Sequence, residues 1–76
     1  MNRIKKFLLK LSKKEREKYY SIFRDIYNLD LEKYDIKKLK NKENHFRLRS
    51  GKIRIIFKRK DGSGMIINID YRGNVY

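Results

Sequence analysis

Seventy-six residues with 22 Lys or Arg against nine Asp or Glu give a formal charge of +13, and the chain has no cysteine and one histidine. These figures predict one small domain, exclude a disulfide staple and thiolate zinc ligands, and leave too few imidazoles for the usual histidine metal site. No apolar run approaches the ~20 residues that span a bilayer, and a charge excess of this size favours a polyanionic partner.

A chain this short buries only about 60–65% of the surface its unfolded form exposes, so its stability margin is small. Its hydrophobic fraction of 39%, with Ile, Leu, Phe and Tyr at regular spacing, argues for a folded domain rather than disorder. Within residues 2–11, Ile4, Phe7, Leu8 and Leu11 stand at i, i+3, i+4 and i+7, the stripe of an amphipathic helix. The segment lacks the long apolar centre and small-residue cleavage site of a signal peptide, and it leads directly into a second striped helix, so core packing is expected rather than membrane binding. Ser12 and Glu15 match a capping box, which starts a helix over 13–28 with Tyr19, Ile22, Phe23 and Ile26 on its apolar side. Two helices joined this tightly form a hairpin with one shared seam.

Residues 29–44 read as a polar connection anchored by Leu29, Leu31, Tyr34, Ile36 and Leu39. Its lysines, Lys38 and Lys40 among them, form either a solvated face or a rim that contacts phosphate.

Strands are predicted over 45–50, 52–60 and 64–71. Between Asn44 and Lys60 there are seven Lys or Arg and no acid. Alternation sends odd and even residues to opposite faces, so one face can be core while the other gathers charge. A two-residue turn at Ser50-Gly51 would pair Leu48 with Ile53 and Phe46 with Ile55, and would set Arg47 opposite Arg54. A three-residue loop with a bulge in 61–64 would keep Ile67 and Ile69 on the core side with Ile55 and Phe57, and Asp70 opposite Arg54. Ile56 and Ile66 would then share the open face with the cations. The expected class is α+β, a helical hairpin on a small antiparallel sheet.

Arg47, Arg49, Arg54 and Arg72 are the candidate site, with Lys52, Tyr71 and Tyr76 nearby. The sequence offers no nucleophilic cysteine, no Ser-His pair, no glycine-rich phosphate loop and no metal cluster. Arginine forks match phosphate geometry. On RNA, such a clamp can stabilise charge at the scissile phosphate while the neighbouring 2′-hydroxyl attacks, so that the substrate supplies the nucleophile. Arginine is a poor proton acceptor, which leaves Tyr76, Tyr71, Lys52 and His45 as candidate proton handlers.

D-I-K-K-L-K at 35–40, F-R-L-R-S-G-K-I-R-I-I-F at 46–57 and R-G-N-V-Y at 72–76 together resemble the RelE/ParE toxin superfamily of toxin–antitoxin pairs. The resemblance covers nearly the whole chain. It implies a cytoplasmic, ribosome-associated mRNA endonuclease that works without metal or cofactor. By motif position, the activity would fall to Arg47, Arg49, Arg54, Arg72 and Tyr76; the expected division is catalysis by Arg54, Arg72 and Tyr76, and RNA phosphate binding by Arg47, Arg49, Lys52, Lys38 and Lys40. The implied partners are mRNA, the ribosome, and an antitoxin that covers the basic face with an acidic or apolar segment; no membrane partner is expected. ParE-like members share the fold, act on DNA gyrase and lack this cluster, which favours the RelE-like branch. A non-catalytic binder is the alternative: a gyrase-directed toxin, a degenerate toxin that only binds antitoxin, or a basic RNA-binding module. The sequence departs from the family in three ways. It begins at the first helix without the usual preceding strand, it carries Phe46, Ile53 and Phe57 where aromatics (often tyrosines) are common, and Tyr71 stands where several members have histidine.

Overall fold

A computed structural model describes residues 3–71, with side chains over 4–69. Two helices, α1 (Arg3–Leu9) and α2 (Lys13–Tyr27), precede four strands: β1 (Asp35–Lys38), β2 (His45–Ser50), β3 (Ile53–Lys60) and β4 (Ser63–Tyr71). The strands form one antiparallel sheet in the order β1-β2-β3-β4. The α+β class is therefore as expected. Among the described residues no helix is long and apolar enough to cross a membrane.

The capping box forms as read from the sequence. Ser12 Oγ accepts from the Glu15 amide, and Glu15 Oε1 accepts from the Ser12 amide, each at 3.2 Å. Phe7 and Leu11 from the first stripe and Tyr19, Ile22 and Ile26 from the second are buried with Leu48, Ile53, Ile55, Phe57 and Ile69. Each such side chain contributes on the order of 1.5–3 kcal/mol by leaving water. The helices meet the sheet chiefly at β4. There Gly64 lies against α2 so closely that a Cβ built on it would fall 2.2 Å from the Ile26 carbonyl oxygen.

The segment after α2 is more ordered than a polar connection. Leu29 adopts φ 55°, its amide donates to Ile26 O at 3.0 Å, and the Asp30 amide donates to Asp25 O at 2.8 Å. Together these bonds make the left-handed C-terminal cap of α2, with leucine in the place usually taken by glycine. Asp25, only 6% exposed, accepts from Tyr34 Oη at 2.5 Å and pairs with Lys33 Nζ at 3.2 Å. Tyr34 immediately precedes β1, so this bond fixes where the strand begins. β1 corrects the expectation of a connection without a strand over 29–44: its one apolar residue, Ile36, packs against the core, while Asp35, Lys37 and Lys38 are exposed.

Both hairpins also differ from expectation. The first turn is Gly51-Lys52, closed by the Ser50–Ile53 pair, with Gly51 at φ 58°. The preferred two-residue turn with glycine first needs a positive φ at its first central position. A turn centred on Ser50-Gly51 would impose that conformation on serine. The register slides by two residues, pairing Leu48 with Ile55 and Phe46 with Phe57, whose rings stack at 5.5 Å. An even slide leaves every side chain on its expected face. It does change partners: Arg49, and not Arg47, stands opposite Arg54.

The second turn has two residues instead of three, with Asp61 at φ 54° and Gly62 at φ 79°, the pair of positive angles that a type I′ turn demands. The bulge lies further on, between the Ile56–Asn68 and Phe57–Ile66 pairs, so Ile67 is the extra residue. Hence Ile66 packs against the core and Ile67 is 44% exposed, reversing the expected placement of the two. Asp70 is opposite Arg54, as expected.

Two outcomes test this packing. Gly64→Ala must displace the α2 backbone or β4, and should lower unfolding free energy by about 2 kcal/mol or more in a urea titration. The hydrogen bond from Tyr34 holds the Asp25 carboxyl below its ordinary 3.8, with Lys33 assisting against the effect of burial. Burial, together with that bond, pushes the Tyr34 hydroxyl up to about 12 from 10.0. The lowered carboxyl contributes stability that is complete above its unfolded value and is lost as the pH falls through the folded one. The raised phenol contributes stability that is complete below about pH 10 and is lost as the pH climbs toward 12. Tyr34→Phe should remove the alkaline loss and shrink the acid one, read by circular dichroism against pH.

Candidate nucleic-acid interface

The sheet face away from the helices can be read in rows across the strands. One row runs Asp35, Arg49, Arg54, Asp70; the next runs Lys37, Arg47, Ile56, Asn68; a third includes His45, Lys58 and Met65. Two arginines directly opposite each other repel, and in register an aspartate stands outside each of them.

Asp35 contacts two members of this cluster. Its Oδ2 accepts from Arg49 Nε at 3.1 Å, and its Oδ1 lies 3.7 Å from an Arg47 terminal nitrogen. The Arg47 side chain is 12% exposed and that of Arg49 32%, while Asp35 is 56% exposed. Arg47 Nε is buried with no hydrogen-bond partner among the described residues. Arg54, on the inner strand β3, is buried as a whole residue. Largely buried guanidinium groups exert a stronger field than solvated lysines. Their forked donors suit the oxygens of a phosphodiester.

The predicted site is thus brought together in part. Arg47, Arg49 and Arg54 share one face, and Lys52 is exposed in the turn at the end where Arg49 and Arg54 lie. Lys38 is opposite Phe46 and so belongs by alternation to the helix side; Lys40 lies in the turn beyond β1. Neither joins the arginines. Arg72 and Tyr76 lie outside the described residues, as does the Tyr71 side chain. His45 Nδ1 is 2.6 Å from Glu43 O, to which a protonated Nδ1 donates, at the opposite end of β2 from Arg49. Among the described residues no three His, Cys, Asp or Glu gather as metal ligands.

Sequence reasoning missed Asp35 as a member of this face and gave Lys37 only as one of the connection's lysines, because both enter it on a strand of four residues with one apolar position. The available signal is Tyr34 and Ile36 alternating with charge. Lys58 was missed as well, although the alternation of 53–60 places it on this face.

On the helix side, Leu29, Leu31, Ile36 and Phe46 line a cleft of about 210 Å³ with Arg59 at its margin. No protein-family model, curated protein or solved structure matches the chain.

If the face binds polyphosphate through these cations, Lys37→Gln with Lys58→Gln should weaken single-stranded RNA binding without regard to sequence. The logarithmic salt slope should also flatten by roughly 0.7 for each phosphate no longer neutralised, measured by fluorescence anisotropy between about 50 and 200 mM salt.

Proposed function

We propose that this chain is a RelE-like toxin that cleaves mRNA on the ribosome. The observation carrying the reading is the set of three arginines, Arg47, Arg49 and Arg54, side by side on adjacent strands of the face opposite the helices. The ordered resemblance of 35–40, 46–57 and 72–76 to that superfamily supports it. So does the α+β arrangement of two helices followed by an antiparallel sheet.

In the proposed reaction the arginines hold the phosphodiester and offset the charge that develops on its oxygens. The adjacent 2′-hydroxyl attacks phosphorus, and the 5′-oxygen of the next nucleotide leaves. Arg54 and Arg72 serve the scissile phosphate, and Tyr76 handles a proton. Arg47, Arg49 and Lys52 hold flanking phosphates. The proposed partner is an antitoxin with an acidic, partly apolar segment.

The second reading is a binder without catalysis. It is favoured by Asp35, which already occupies two of the three arginines.

Ribosomes programmed with a defined mRNA test the choice. The wild-type chain should cut within the message, and a variant combining Arg54→Ala, Arg72→Ala and removal of Tyr76 should lose at least a hundredfold in rate, as when preorganised transition-state donors are removed. Equal activity of the two proteins would sink the nuclease reading. RNA binding without cleavage by either would select the binder.

A further inference from the structure

We propose that Asp35 is a built-in competitor for phosphate, occupying Arg47 and Arg49 until an RNA backbone displaces it. The inference rests on reading this face as an RNA-binding surface, and it concerns how tightly the surface holds its ligand.

The geometry has three parts. First, one carboxylate serves two guanidinium groups, at 3.1 Å to Arg49 and 3.7 Å to Arg47. A carboxylate presents two oxygens to an arginine fork much as a phosphate does, so both anions claim the same donors. Second, Asp35 is 56% exposed on its side chain and sits on an outer strand, so it can turn toward solvent without opening the core. An ion pair with so exposed a partner is worth little to folding, and a polyphosphate can displace it. Third, the strand that presents it is pinned one residue earlier by the bond from Tyr34 to buried Asp25. The carboxylate is thereby held in register with Arg49.

The physical consequence is a surface whose arginines stay aligned at the expense of affinity. Each phosphate that docks on Arg47 or Arg49 must first release a carboxylate. Binding is weaker than the count of cations implies, and release is correspondingly faster.

The test uses the full chain and a fluorescein-labelled oligouridylate of about twelve nucleotides, with affinity read by anisotropy across a salt series. Asp35→Asn and Asp35→Thr remove the charge, threonine being the better strand residue. Asp35→Glu keeps it. Asp61→Asn, in the turn at the far end of β3, adds the same unit of net charge roughly 20 Å along the strand and suits its left-handed backbone. The expected result is about three- to tenfold tighter binding for both neutral Asp35 variants at low salt, with a steeper salt dependence as more phosphates are neutralised. Asp35→Glu should remain near wild type, and Asp61→Asn should change affinity less than twofold. Equal or weaker binding by both neutral variants, including no binding by any protein, overturns the inference. So does an Asp61→Asn gain matching that of Asp35→Asn, which would make the effect one of net charge. Failure of the ribosome assay with this pattern intact would remove the nuclease reading alone.

Discussion

The approach of Gly64 to the Ile26 carbonyl sets the architecture. Helix and sheet usually stand apart by the thickness of two side-chain layers; here one layer is absent at a single point, and α2 rests on the β4 backbone. That approach lets Ile26 reach full burial among Ile55, Phe57 and Ile69 in a domain too small for a deep core. It also leaves the opposite face of the sheet as a broad surface where strand side chains can collect charge. Packing on one face and electrostatics on the other follow from the same twofold alternation.

Charge on the open face is arranged rather than merely abundant. A chain with +13 could have left its arginines uncompensated, yet Asp35 contacts both Arg47 and Arg49. Partly exposed ion pairs are worth a fraction of a kcal/mol to about 1 kcal/mol in stability. Their larger effect is on orientation. A guanidinium held by a neighbour presents a fixed fork, and fixed donors are what phosphate recognition and transition-state stabilisation both need.

Most of the fold was legible in the sequence wherever a local signal had one physical meaning. The capping box at Ser12–Glu15, the two apolar stripes and the alternation of 45–60 each produced the element expected. The register was harder. It depends on which residue of a turn takes a positive φ, and a one-position error at Ser50-Gly51 moved the partner of Arg54 from Arg47 to Arg49. Parity rescued the faces but not the pairs. The bulge at Ile67 was invisible because nothing in M-I-I-N-I-D distinguishes an extra residue within the strand from one in the turn. β1 escaped notice for a different reason. It is held by a tertiary bond from Tyr34 to Asp25 and by pairing with β2, neither of which leaves a periodic trace in four residues.

The bulge at Ile67 also bears on how the chain behaves in a crowded solution. β4 is a long outer strand, nine residues, with Met65 and Ile67 exposed, and such an edge can template the addition of another molecule's strand. A bulge near its middle bends the strand and interrupts the regular spacing of its outward amides and carbonyls, so a straight strand from a second copy can match only part of it. The residue that upset the expected pairing thus limits how far a second strand can pair along the edge that exposes Met65 and Ile67.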